Sequence, residues 1–540
     1  MPSIVEDSHP YVTNFTTVVT QKLPWQEMVG SRFSYYVAIV TVLFCVWLSQ
    51  PTKQKCRVAA PFYKASRIKW MFNADALIQD SYSKFRDCVY QIKSTEGVRT
   101  LIPANLVGEL KGLPEDTLSA KKAISEAMLS EYTKLSAGAH SDTLSLVLKT
   151  KTTAHVGRMV PTMKKELEHI LATEFPECQE WTPFVVQPFM IRVIARLSGG
   201  VFVGPAISRT EEWMDVSINF AVTAFIAVIK LQFFPTWLRP VVAHFVTELT
   251  TIRKDLEKAE EMLTPIIEQR IRDFSDAPGC DKPDDFIQWL LDALPEDDKR
   301  DYQIQSKMQL LLSASSIHTT SNLVTDCIYD LAIHQDMQEI LREEANEVFK
   351  DEDDWNKKDS VQKLTKMDSF IRESQRLSGN VTSFIRKVMK PIDLSDGTHL
   401  PAGTNLLTPL AGIARDERYY PDAGVFDGLR FWKLRQQQQQ QHNHDHHATE
   451  GSGGSRGWQF TSIGDTNMNF GLGRHACPGR FFAAAEIKMT LAHLLLRYDV
   501  RMLPEGQPPS RPRPNMFMMT KSPSSTAEVL FRRRSRRSAT

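Results

Sequence analysis

Cysteine is scarce in this chain: 7 among 540 residues, an odd number, widely scattered and without a Cys-x-x-Cys pair. That excludes a disulfide framework and fits a reducing compartment. An excess of one charge is missing too. The 65 Lys and Arg stand against 64 Asp and Glu, a net charge of +1, which offers nucleic acid no broad electrostatic footprint. Glycine and proline are absent from Glu296 to Ser378, so long helices are expected throughout that stretch. No flavin or nicotinamide motif occurs, so an enzyme that needs electrons must receive them from a partner. What is present is apolar residues, 42% of the chain, ample for a large core. The length allows two to four average domains or one large α-rich enzyme.

Charge also disappears locally. From Phe33 to Thr52 no residue is charged, and Tyr35 to Leu48 is strongly apolar. That approaches what a bilayer span needs, with Tyr35, Tyr36 and Trp47 suited to the interfaces. A buried core helix has the same composition. Lys53, Lys55, Arg57, Lys64, Arg67 and Lys69 follow, which places the remaining chain in the cytosol by the positive-inside rule. The expected order is a lumenal tail over 1–32, a single-pass anchor over 33–52, one catalytic domain over 53–527 and a basic tail over 528–540. Asn14-Phe15-Thr16 is a glycosylation acceptor sequence in the lumenal tail.

The most informative stretch is Phe470-x-x-Gly473-x-His475-x-Cys477-x-Gly479. Its glycines let the backbone turn tightly and pass close to a bulky planar object. Pro478 and Gly479 follow the cysteine where a loop hands over to a helix. A cysteine at a helix N-terminus is favoured as thiolate, and a thiolate can be the proximal ligand of haem iron. A buried structural cysteine in a Gly-rich turn is the alternative.

The whole pattern resembles the haem-binding loop of the cytochrome P450 monooxygenases, in particular the filamentous-fungal branch. The resemblance implies a mainly α fold with a minor β region, haem b as cofactor and Cys477 as axial iron ligand. It implies that Phe470 packs beside the sulfur and that His475 meets a haem propionate, where the family more often carries Arg. The family's central helix carries an acid followed by Thr; laid on this sequence, Thr319 takes the threonine position and His318 the acid's. Thr319 is then the hydroxyl that helps deliver protons, with His318 able to pass them as well. A polar helix face without chemistry is the other reading of these two.

Glu373 and Arg376 stand three apart on one helical face. The family's Glu-x-x-Arg pair locks onto an arginine from the following meander, and Arg430 matches it, with Gly428 where proline is usual. His155 and Arg158 are local candidates for the propionates, or solvated surface residues. Val216 to Ile229 is a second uncharged run, too short to span a bilayer; it reads as a core helix or, in the family, as the roof of the substrate pocket. Residues 433–457 form a low-complexity insert of Gln, His, Gly and Ser, expected as a mobile surface loop.

The implied function is insertion of one atom of O2 into a lipophilic small molecule, a terpenoid-type precursor of secondary metabolism by the fungal resemblance. Electrons would come from NADPH-cytochrome P450 reductase, and the enzyme would sit in the endoplasmic reticulum membrane facing the cytosol. Two rivals stay open: a haem-thiolate isomerase or dehydratase independent of O2, motivated by the missing acid at His318, and a non-catalytic membrane haem-binding protein.

Overall fold

The computed structural model describes residues 58–95, 97–136, 141–276, 282–444, 457–503 and 510–534. Asn14, the 33–52 span and the last residues of the basic tail lie outside them.

After one short 3-10 turn, Glu296–Arg300, the stretch without glycine or proline forms the longest helix of the described residues, Tyr302–Ile333. Its N-terminus is capped by Asp301, whose side chain accepts from the Ile304 N–H. At 32 residues it runs about 48 Å, and it forms the axis of the molecule. Ile317, Val324, Ile328 and Leu331 are buried as their spacing predicts, but so are Cys327, Tyr329 and Ala332 on the other faces. Neighbours surround it: Val186–Phe202, Glu211–Gln232, Thr247–Asp276, Thr365–Ser378 and Arg480–Arg497 all pack on this central helix.

Glu211–Gln232 contains the second uncharged run. Thr210 caps it by accepting from the Trp213 N–H. By length and composition it could cross a membrane, with mean hydropathy 1.7 over its most apolar window. Half of that window is buried, and Trp213, Phe220, Ala224 and Leu231 are wholly covered. It is a core helix lying over the central one.

Thirteen short strands run in chain order among the described residues. They are β1 Phe62–Tyr63, β2 Tyr90–Ser94, β3 Gly97–Leu101, β4 Leu118–Ser119, β5 Thr182–Val185, β6 Ser383–Val388 and β7 Ile392–Asp393. There follow β8 His399–Leu400, β9 Asn405–Thr408, β10 Tyr498–Met502, β11 Asn515–Phe517, β12 Thr520–Ser522 and β13 Glu528–Arg533. The main sheet has the order β1-β2-β3-β9-β6-β4. Its β2 and β3 form an antiparallel hairpin, with Tyr90 opposite Leu101.

Two expectations change here. Strand β13 lies wholly beyond the boundary drawn after residue 527, yet it pairs between β10 and β5. Arg532 pairs with Asp499 at 3.3 Å and stacks on Trp181, so the start of the supposed tail is part of the folded domain. The first part of the insert is helical, within Arg430–His444, because glutamine is a good helix former and no glycine or proline interrupts it. Residues 445–456 lie outside the described part.

Candidate active site

Cys477 sits in the loop that leads into helix Arg480–Arg497, with Gly479 at its N-cap. A hydrogen bond from the Cys477 N–H to the Phe470 carbonyl at 2.7 Å closes the loop. Between them Gly471 and Gly473 have φ of 69° and 66°, the left-handed region where other residues are strained. A Cβ on Gly473 would lie 2.6 Å from the Lys111 carbonyl oxygen. Gly479 differs: its φ is −84° and a Cβ there would meet no protein atom within 4 Å. That open space is what a flat group passing close to the loop requires. Phe470 is braced edge-on by Phe460, ring centroids 5.1 Å apart.

Burial pushes the Cys477 thiol above its usual pKa, against the Gly479 N–H and the Arg480 charge and N–H, which pull it down. Burial thus opposes the thiolate that the helix N-terminus favours, and a bound metal cation would hold the charged form.

His475 stands two residues before the cysteine among Glu115, Arg386, Arg474 and Lys149. Its Nε2 is 2.6 Å from Glu115 Oε1 yet lacks hydrogen-bond alignment. Burial, with Arg386 beside it, lowers the imidazole pKa, while Glu115 opposes. Arg386, on β6, is buried and its pKa is pushed down to about 10 by desolvation. Its guanidinium lies over the Phe384 ring and donates to the Ile385 carbonyl at 2.9 Å.

In the middle of the central helix, Thr319 and Ser315 are exposed although Ile317, Thr320 and Ser321 around them are buried. Exposure inside a buried helix marks an open cleft. The hydroxyls there bond back along the helix: Thr319 Oγ1 donates to the Ser315 carbonyl at 2.8 Å and Ser315 Oγ to the Leu312 carbonyl at 2.9 Å. His318 turns elsewhere, its Nε2 2.9 Å from the Ile218 carbonyl of Glu211–Gln232. The two residues named together from the sequence therefore serve different sides of the helix.

Glu373 is completely buried and takes both arginines. Arg376 Nη2 and Nε donate to its two oxygens at 2.7 and 2.8 Å. Arg430 Nε donates to the same oxygens at 3.1 and 3.2 Å, and the Asp427 N–H adds a bond at 3.0 Å. The remaining guanidinium groups reach the carbonyls of Ala414, Ala423, Asp422 and Val425. Gly428 has a packing reason, since a Cβ would lie 2.8 Å from Met337 Cε and 3.0 Å from Phe370 Cδ2. His155 and Arg158 stay outside the cluster around His475. His155 stacks on Trp289 and bonds the Lys151 carbonyl; Arg158 faces Asp284 at 3.7 Å. Among the described residues no group of His, Cys, Asp and Glu could hold a metal ion by itself.

A family model described as Cytochrome P450 matches residues 133–527. The chain belongs to the cytochrome P450 family. Cytochrome P450 monooxygenase AN1598 of Emericella nidulans is 33% identical over 516 residues, covering 93% of each chain. Cytochrome P450 monooxygenase paxP of Penicillium paxilli is 31% identical over 519 residues, covering 92% of this chain and 95% of that one. Retinoic acid bound cyanobacterial CYP120A1 superposes with a TM-score of 0.64 at 16% identity, covering 89% of this chain and all of the other, which bears on the fold. This fungal-type cytochrome P450 is a monooxygenase, and its family works with a haem-thiolate cofactor. The residues present fit that group: the glycine cradle, the open space beside Gly479, the misaligned His475 Nε2 and the desolvated Arg386 all stand around the Cys477 loop. Sequence reasoning passed over Glu115 and Arg386. Nothing in their local spacing marks them, since strand pairing and the loop's fold bring them to His475.

Proposed function

We propose that Cys477 holds haem b as its axial thiolate and that this enzyme inserts one atom of O2 into a lipophilic small molecule. The carrying observation is the exposed Thr319 and Ser315 inside the otherwise buried central helix, which packs against the helix that follows Cys477. The haem supplies the activation of dioxygen. The chain's own groups do the rest. Gly471 and Gly473 give the loop its shape, His475 and Arg386 offer positive or donor groups to the carboxylate-bearing edge of the cofactor, and Thr319 holds a transferable proton at Oγ1 in the cleft. Glu373, Arg376 and Arg430 fix the meander that carries the loop. His318, bonded to the roofing helix, acts in this reading as a positioning residue.

The partners in this reading are NADPH-cytochrome P450 reductase, O2 and a terpenoid-type precursor of secondary metabolism, at the endoplasmic reticulum membrane with the domain facing the cytosol. Residues 33–52 would span the bilayer once, and Asn14 in the 1–32 tail would be glycosylated in the lumen. Apolar side chains left in solvent support contact with lipid: Trp237, Val241 and Phe245, just after the roofing helix, are 78%, 57% and 80% exposed.

The test compares lipophilic extracts of matched cells with and without the protein, grown under isotopically labelled oxygen gas. A labelled product that depends on the protein is expected. A protein-dependent product without label would favour the isomerase or dehydratase reading. Cys477→Ser should remove the reduced carbon monoxide absorption of the haem-thiolate and abolish the product.

A further inference from the structure

The opening beside Thr319 continues along the central helix toward its start. Lys307, Leu311, Ala314, Ser315, Thr319 and Asn322 are not fully buried, and they recur at four, three, one, four and three, a single helical face. Residues between them that point elsewhere, Met308, Leu310, Leu312, Ser313, Ile317 and Thr320, are buried. The stripe therefore has two polar ends, the hydroxyls of Ser315 and Thr319 at one and the ammonium of Lys307 at the other, with Leu311 and Ala314 as an apolar floor between them. From position 307 to position 319 the helix rises about 18 Å.

Lys307 has no carboxylate to pair with among the described residues. Burial, and after it the charge of Lys134, lower its ammonium pKa, and no acid acts against them. Lys134 follows the short helix Ser130–Thr133 and is exposed. Its backbone has φ of 61°, and its Nζ donates to the Glu131 main-chain carbonyl at 3.2 Å. The acids of the surrounding elements are engaged elsewhere. The Glu131 carboxylate bears on Tyr132 and Arg239, and Asp301 caps the central helix. On Thr247–Asp276, which packs against the central helix, Glu248 pairs with Lys230 at 2.5 Å and Glu261 with Lys258 at 3.2 Å. Asp255 of that helix is shifted by burial alone, with no cation beside it. Two ammonium groups thus face one another at the end of an apolar floor without a counter-charge, an arrangement that repels itself until an anion enters.

Resting on the monooxygenase reading above, we propose that the substrate is a lipophilic carboxylic acid whose carboxylate binds Lys307, with Lys134 beside it, while its apolar body lies along Leu311 and Ala314 toward Thr319. The anion supplies the missing counter-charge and gains charge-assisted hydrogen bonds from ammonium groups that the protein leaves without one. A lysine offers a point charge on a flexible stem, so the site selects for negative charge rather than for the shape of a headgroup. Fixing the acid at Lys307 also orients the molecule. The carbon presented beside Ser315 and Thr319 is one remote from the carboxylate, and a neutral molecule with the same body has nothing to hold it at that register.

The experiment titrates the full-length, haem-loaded protein by calorimetry with tetradecanoic acid and, separately, with its methyl ester, in the absence of a reductase. Each probe is compared between native and variant protein, so its partition into detergent cancels. Lys307→Met should weaken binding of the acid about tenfold or more and leave the ester unchanged. Lys307→Arg should keep the affinity for the acid, and Lys134→Met should weaken it by a smaller factor. Lys307→Glu should lose the acid and bind tetradecyltrimethylammonium more tightly than the native protein does. Equal changes for acid and ester in Lys307→Met would make Lys307 a packing residue and overturn the proposal. Native affinity for the acid in Lys307→Met, or no saturable binding of the acid to the native protein, overturns it as well. The titration requires no turnover, so it stands or falls separately from the labelled-oxygen test of the reaction itself.

Discussion

His318 Nε2 reaches across from the central helix to the Ile218 carbonyl at 2.9 Å, so the residue in the acid's position ties the roof to the axis. The contact requires the Nε2–H tautomer, because a carbonyl can only accept. Burial lowers the imidazole pKa, with the Ile218 bond opposing it. A His whose folded pKa is depressed favours unfolding as pH falls below its ordinary value near 6.5. His318→Gln should therefore flatten part of the acid-side loss of stability between pH 7 and 5, read by thermal melts across that range. At pH 7.5 the loss of a single hydrogen bond should cost about 1 kcal/mol.

Glu373 is fully buried between two arginines. Breaking a buried ion pair by removing one partner leaves an uncompensated charge and costs about 3–5 kcal/mol. Glu373→Ala should lower the melting temperature of the haem-loaded protein and leave most of the expressed chain without haem. Arg376→Lys should also fail to rescue, since one ammonium cannot bond both carboxylate oxygens and the Ala414 and Ala423 carbonyls together.

These groups differ in how far the sequence announces them. Cys477, Gly473 and Phe470 are legible because one short loop imposes their spacing, and Glu373 with Arg376 because one helix face does. The family fold follows from those motifs and from the long run without glycine or proline. Arg386 and Glu115 are not legible in this way. Their partners lie on other elements, and only the pairing of β6 with its neighbours and the fold of the cysteine loop bring them into contact. His318 shows the same limit in reverse: its position in the sequence suggests proton transfer, while its rotamer is decided by a carbonyl 100 residues away.

Asp326 and Asp330 are one turn apart on the central helix and share Arg511, at 2.7 and 3.5 Å. Desolvation raises both carboxyls to about 6, against the pull of Arg511. Folded pKa values above the ordinary one mean that their protonated forms favour the fold, a contribution complete below about pH 4 and lost as pH rises through 6. Above that range the two carboxylates depend on Arg511. Arg511→Ala should then cost little at pH 5 and about 3–5 kcal/mol at pH 7.5, read by denaturant unfolding at the two pH values. Equal costs at both would remove the coupling.

Gly473 and Gly479 flank the same cysteine but should fail in different ways when given a methyl group. At Gly473 the backbone has φ of 66° and the methyl carbon would press to 2.6 Å from the Lys111 carbonyl oxygen. The protein itself objects, so Gly473→Ala should destabilise even the haem-free chain by about 1–3 kcal/mol. At Gly479 the φ of −84° suits any residue and no protein atom lies within 4 Å of the added carbon. Gly479→Ala should leave the melting of the haem-free chain unchanged. If the open space beside Gly479 belongs to the cofactor, the same variant should still bind haem more weakly in a titration of the haem-free protein. Normal haem binding by Gly479→Ala would move the cofactor's plane away from this side of the loop. A loss of stability without haem would mean instead that the glycine serves the fold.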